Sequence, residues 1–168
     1  MIFVTSGTHE PFDRLLEAVD GWCDRSGQGD KVFAQSVSPG SGGYVPRNYT
    51  VVERLSPDEY AARFAEADLI VSHAGMGTIL TALSMNKPAV IMPRRMHLHE
   101  TRNDHQYSTV NVLGEYPGLF IASDEKILGE VVDHALGKCK EPLINSISQF
   151  ASKEFTNELR KFIISGEK

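Results

Sequence analysis

Three segments of this 168-residue chain bring together residue types that could do chemistry. The first is Ser72-His73-Ala74-Gly75-Met76-Gly77-Thr78. Its glycines let a backbone come close to a ligand. If a helix starts here, its free N–H groups offer a positive end to an anion such as a diphosphate. A tight turn that needs glycine for geometry alone is the plain alternative, because Gly-x-Gly by itself is a weak signal. The second segment, Ser6-Gly7-Thr8-His9 with Pro11 close behind, has the same character. The third runs from Pro93 through Arg94, Arg95, His97, His99, Glu100, Asn103, Asp104 and His105 to Gln106. Arg94 and Arg95 could hold a phosphate or carboxylate through paired hydrogen bonds. Asn103 and Gln106 could bind sugar hydroxyls. The plain alternative is a solvated loop with Asp or Asn capping a helix.

Other chemistries fit less well. His97, His99 and Glu100 lack third and fourth ligands at a recognisable spacing, so no metal site is expected. Cys23 and Cys139 stand in no metal-type spacing either, and a reduced, cytoplasmic protein is the simple reading. No Gly-x-Ser-x-Gly elbow occurs, and His73 beside Ser72 has no evident triad acid. A GxxxxGK[ST] phosphate loop is absent, and so is Gly-x-Gly-x-x-Gly after the first apolar run. The second run ends in Ala34-Gln35-Ser36 without an acidic residue, which argues against a nicotinamide dehydrogenase. The net charge of −5 argues against nucleic acid, for which a basic stripe is the usual footprint. No leader peptide and no apolar run of membrane length is evident.

The three segments are positioned by alternating short apolar runs and longer helical periods, the rhythm of a parallel sheet covered by helices. Strands are expected at Ile2–Thr5, Lys31–Gln35, Val51 to Leu55, Leu69–Val71, Ala89–Met92 and Leu119–Ile121. A first helix carries Leu15, Leu16, Val19 and Trp22. A second starts at Ser56 as N-cap, with Pro57 at N1 and Glu59 at N3. Further helices are expected over Thr78–Met85, closed by Asn86 and Pro88, and over Asp124–Leu136. Ser36–Gly43 reads as a flexible loop. All three chemical segments then fall at carboxyl ends of strands, where open α/β sheets bind ligands. At this length one domain is expected, with 142–164 a terminal helix striped by Leu143, Ile147, Phe150, Phe155, Leu159 and Phe162. That stripe could pack on its own domain or serve as a docking face.

Taken together, these segments resemble the C-terminal domain of family 28 glycosyltransferases, the MurG-like domain. The free-standing relatives are the nearer likeness: the soluble subunit of the dolichol-linked N-acetylglucosaminyltransferase and the small subunits of bacterial exopolysaccharide glycosyltransferases. The likeness rests on Phe3-Val4-Thr5-Ser6-Gly7-Thr8, Pro11-Phe12-Asp13-Arg14-Leu15, Ala67 through Thr78, Lys87-Pro88, Pro93-Arg94-Arg95 and His105-Gln106. It implies a Rossmann-like parallel sheet with helices on both faces, equivalent to the C-terminal half of a GT-B glycosyltransferase.

The resemblance also implies a UDP-sugar donor, no cofactor, and a second, membrane-anchored subunit that binds a lipid-linked glycan acceptor. That subunit would recruit the chain to the cytoplasmic face of the membrane. Carried over by position, Gly75, Met76, Gly77 and Thr78 sit at the diphosphate. Gln106, Asn103 and His105 face the donor sugar, and Gly7 and Thr8 border the cleft. Where several members place a ribose-binding Glu, this chain has Thr81. The catalytic base is expected on the partner, with His73, His99 and His105 as candidates within the chain. The uncovered cleft face also invites self-association. A non-catalytic nucleotide-sensing module on the same fold is the rival reading, because fold alone does not fix function.

Overall fold

The computed structural model describes residues 1–8, 10–37, 43–139 and 151–165, the side chains of Phe162 and Ser165 excepted. Its centre is the strand β1 (Ile2–Thr5), which pairs in parallel with β2 (Val32–Gln35) on one side and with β4 (Leu69–His73) on the other. Beyond β2 lies β3 (Thr50–Val52), and beyond β4 lie β5 (Ala89–Met92) and β6 (Leu119–Ile121). The order β3-β2-β1-β4-β5-β6 is that of a doubly wound nucleotide-binding sheet, whose direction of winding reverses between β1 and β4.

Alternate side chains of each strand enter two cores. Ile2, Val4, Leu69, Val71, Val90 and Met92 meet Leu15, Leu16, Val19 and Trp22 of α1 (Asp13–Ser26) and Leu128 and Val132 of α5 (Leu128–Lys138). Phe3, Ile70 and Ile91 face the other way. There they meet Phe64 of α2 (Pro57–Glu66), Ile79 and Leu83 of α3 (Met76–Ser84), and Val110 of α4 (His105–Leu113). Burial on both faces is why these strands read as unbroken apolar runs.

The structure adjusts several boundaries. β4 continues two residues past Val71 and so carries His73 at its end. α3 starts at Met76 rather than Thr78, and Asn86 follows it in a left-handed conformation with φ 53°. α5 starts at Leu128 rather than Asp124, because the Asp124 carboxylate accepts the N–H groups of Lys126 and Ile127 and forms a separate turn. Leu55 lies beyond β3. The capping box of α2 is present: Ser56 accepts from the Glu59 amide, and the Glu59 carboxylate accepts from the Ser56 amide.

Residues 38–42 of the Ser36–Gly43 loop lie outside the described residues, as do Leu143, Ile147 and Phe150 of the terminal stripe. In α6 (Lys153–Ser165), Phe155 and Leu159 are exposed, so the described part of the stripe is not packed on the domain. No helix among the described residues is long and apolar enough to cross a membrane.

One buried carboxylate anchors the approach to β3. Asp20, on α1, accepts hydrogen bonds from the Tyr44 hydroxyl at 2.7 Å and from the amides of Arg47 and Asn48 at 3.0 and 2.9 Å. Burial works to raise its pKa, but these donors together hold it below the ordinary carboxylate value. The unfolded chain therefore takes up this proton at a higher pH than the folded one, and the stabilisation disappears as pH falls through the folded value. Asp20→Ala is expected to cost roughly 2–4 kcal/mol in urea unfolding at neutral pH. The same variant is expected to lose less stability than the parent on acidification.

Candidate functional site

A cavity of about 410 Å³ opens at the carboxyl edge of the sheet, over the reversal between β1 and β4. Ser6, Gly7, Thr8 and Glu10 line it from the loop after β1. His73, Gly75, Gly77 and Thr78 line it from the end of β4 and the start of α3, and Arg94, Thr101 and Gln106 from the connection after β5. The three segments singled out in the sequence thus meet at one place.

His73 explains two of the glycines. A β-carbon on Gly75 would lie 2.3 Å from the imidazole Nε2, and one on Gly7 would lie 2.9 Å from Cε1. The ring is wedged between the two loops, and Gly7 also needs its left-handed φ of 84°. Gly77 differs, since a β-carbon there would meet nothing within 4 Å. Burial, and next the charge of Arg94, lower the His73 pKa from 6.5 to about 4. The imidazole is therefore neutral at physiological pH, with a buried Nδ1 that has no hydrogen-bond partner among the described residues.

Gly75 is also the N-cap of α3 and supplies no side chain to cap it. The Ile79 amide closes the first helical turn on the Gly75 carbonyl, so the earlier amides of Gly77 and Thr78 precede the helical ladder. Both residues line the cavity. An uncapped helix start facing a cavity suits an anion.

Arg94 is used differently from the expected phosphate or carboxylate fork. Its guanidinium is buried and donates to four backbone carbonyls: Pro11 at 2.6 Å, Glu10 at 2.7 Å, Ser6 at 2.8 Å and Glu100 at 3.2 Å. It also lies over the Phe12 ring, 4.5 Å from the centroid. Arg95 donates to the Tyr107 hydroxyl and the Ser123 carbonyl and does not line the cavity. Glu100 takes a two-point bond from Arg14 and a third from the Arg95 amide, so it is no partner for His97 and His99, which are exposed. Among the described residues no cluster of three His, Cys, Asp or Glu side chains could hold a metal ion.

Gln106 is buried, and its Oε1 accepts the Arg94 amide at 3.0 Å, which leaves its Nε2 group to donate. Asn103 and His105 are exposed, bond to each other, and stand outside the cavity lining. Met76 faces a shallow apolar groove against Val112 and Leu113 of α4 instead. The Thr81 hydroxyl donates to the Gly77 carbonyl at 2.8 Å, so it can offer a ribose hydroxyl only an acceptor. Glu10 and Thr101 line the cavity without having stood out in the sequence, since one acidic and one hydroxyl residue in polar loops carry no distinctive spacing.

A doubly wound parallel sheet with a polar cavity at its switch point defines an open α/β domain of the kind that binds ligands at the carboxyl ends of its strands. The chain belongs to the glycosyltransferase family 28 C-terminal domain, whose model matches residues 1–160. It is 27% identical over 93 residues to the UDP-N-acetylglucosamine–N-acetylmuramyl-(pentapeptide) pyrophosphoryl-undecaprenol N-acetylglucosamine transferase of Prochlorococcus marinus strain MIT 9312. That match covers 55% of this chain and 24% of the relative. The same enzyme of strain MIT 9301 is 28% identical over 96 residues, covering 57% and 23%. The chain thus matches about a quarter of the length of these relatives.

Among solved structures, ALG13 superposes with a TM-score of 0.52 at 17% identity, covering 94% of this chain and 93% of ALG13. MurG of Acinetobacter baumannii gives 0.51 at 18%, covering 80% of this chain and 40% of that one. The kitacinnamycin glycosyltransferase gives 0.55 at 18%, covering 84% and 35%. At these identities the likeness is one of fold, and the fold is that of GT-B C-terminal domains.

The state of His73 can be measured directly. Its imidazole resonances are expected to titrate near pH 4 by NMR. The unfolded chain protonates this residue near 6.5 and the folded chain only near 4, so stability should fall as pH drops through that window. His73→Asn is expected to remove roughly 2–3 kcal/mol of that fall. An imidazole that titrates near 6.5 would overturn the burial argument.

Proposed function

We propose that this chain is the donor-binding subunit of a two-component inverting glycosyltransferase. It would move a sugar from a UDP-sugar to a lipid-linked acceptor in exopolysaccharide or capsule synthesis. The observation that carries the reading is the start of α3. A glycine N-cap leaves the Gly77 and Thr78 amides to a ligand, in the wall of a cavity at the switch point of the sheet. Family membership supports sugar transfer, and the relatives' own name supports a UDP-linked donor.

In this mechanism the donor diphosphate lies against the first turn of α3, with the Gly77 and Thr78 amides on its oxygens. The Gln106 Nε2 group donates to a sugar hydroxyl. An acceptor hydroxyl attacks the anomeric carbon from the face opposite the diphosphate, and UDP departs with inversion. The charge that develops on the β-phosphate is stabilised by backbone amides and the helix start, positioned before the reaction begins. The buried charge of Arg94 in the cavity wall contributes its field. Arg94 spends its guanidinium on backbone carbonyls and Arg95 stands outside the cavity lining, so selection of UDP-glucuronate by these arginines is not part of the proposal.

The family is a C-terminal domain, and the acceptor-binding half would come from a membrane-anchored partner that recruits this chain to the cytoplasmic face. The exposed apolar residues of α6 are the proposed clasp for it.

Three measurements test this reading. Transfer from a panel of UDP-sugars to a lipid-linked acceptor is expected only when this chain and its membrane-anchored partner are combined. UDP binding without transfer in any pairing would favour a nucleotide-sensing module. Gly75→Val, which places carbon where the His73 ring lies, should reduce donor use at least 100-fold with an unchanged circular dichroism spectrum; full activity would remove this loop from the site. Truncation after Pro142 should release the partner in a pull-down while UDP binding persists, and a folded truncate that still captures the partner would end the clasp assignment.

A further inference from the structure

Glu10 is the only carboxylate among the described residues that line the cavity. Its backbone is held, because its carbonyl accepts from Arg94 Nη2 at 2.7 Å. Its side chain, by contrast, makes no hydrogen bond or ion pair with any described residue. Two acids of the adjoining connections are engaged: Glu100 by Arg14 and the Arg95 amide, and Glu125 by Arg14. The charge of Glu10 is felt by Arg94, but a carboxylate that makes no hydrogen bond in the cavity wall is an unfavourable neighbour for a diphosphate unless it takes part in the reaction.

We propose that Glu10 is the general base of the transfer, an inference that rests on the donor-binding reading above. The acceptor hydroxyl gives its proton to the Glu10 carboxylate as its oxygen forms the bond to the anomeric carbon. The bond from that carbon to the β-phosphate oxygen breaks, and its electron pair leaves with UDP. Negative charge thus moves from Glu10 to the departing diphosphate, and the cavity gains no net charge. The other base in the wall, His73, would have to form an imidazolium while wedged between two backbones and beside the buried charge of Arg94. His97, His99 and His105 do not line the cavity. In this proposal the base comes from this chain and not from the partner, on a different loop from the one that takes the diphosphate.

The test uses the chain assembled with its partner subunit, a lipid-linked acceptor and the UDP-sugar that the wild-type pair transfers. Glu10→Gln keeps size and polarity and removes the basic oxygen. It is expected to lower kcat about 10²–10⁴-fold with the donor KM within about threefold, the usual loss for a general base. Glu10→Ala should be equally slow and should recover at least tenfold with added azide or formate. Loss of donor affinity in place of kcat would instead make Glu10 a sugar ligand and overturn the inference, as would a Glu10→Gln variant within threefold of wild type. A wild-type chain that binds no UDP would sink the donor-binding reading itself, a separate outcome.

Discussion

A guanidinium taken out of water has to find an oxygen for its N–H groups, and Arg94 finds four, all backbone carbonyls. The site depends on this arrangement. Three of the carbonyls belong to the loop that leaves β1, so that loop is fixed against the connection after β5 by one side chain. The Arg94 amide in turn fixes the oxygen of Gln106. Phe12 presents its ring to both Arg94 and Arg14, and Arg14 holds the Glu100 carboxylate beside the carbonyl that Arg94 uses. Burial lowers the Arg94 pKa, and the charges of Glu10 and Glu100 work against that fall. The result is a cation that acts on the cavity through its field, in a low-dielectric wall where a charge reaches further than in water.

The same packing explains why the imidazole beside the cavity stays neutral. His73 has the positive end of a helix and a buried arginine for neighbours, and little water to solvate a second cation. The wall therefore presents hydrogen-bonding groups around the cavity without concentrating exposed cations there.

Much of the sheet was legible in the sequence because both of its faces are buried. Unbroken apolar runs such as Ala89–Met92 can only be strands of a covered parallel sheet when helical periods flank them. The α2 start was legible for a local reason, since Ser56, Pro57 and Glu59 carry their capping chemistry within four residues. The three chemical segments were legible as a group through their place at strand ends. What each side chain does there was less so. Three of the four carbonyl partners of Arg94 are 83 to 88 residues away along the chain, and no local pattern announces a carbonyl acceptor at that distance. Asn103 and His105 are close to Gln106 in the chain, yet only Gln106 reaches the cavity, because Asn103 precedes α4 and His105, its first residue, is exposed while Gln106 is buried. Gly7 and Gly75 looked like room for a ligand, whereas the space beside them is taken by an imidazole.

The pairing of β1 also bears on how the chain comes to fold. Ile2 lies beside Leu69, and Thr5 beside Ser72, so the central strand stays open on one edge until residues 67 positions later have been made. At about 5–20 residues per second that interval lasts roughly 3–13 s of synthesis. During it, Ile2, Phe3 and Val4 form an apolar edge that only β2 can shield from one side. The strand that organises the finished sheet is thus the segment most in need of protection on the ribosome, and its completion waits on the strand that delivers His73.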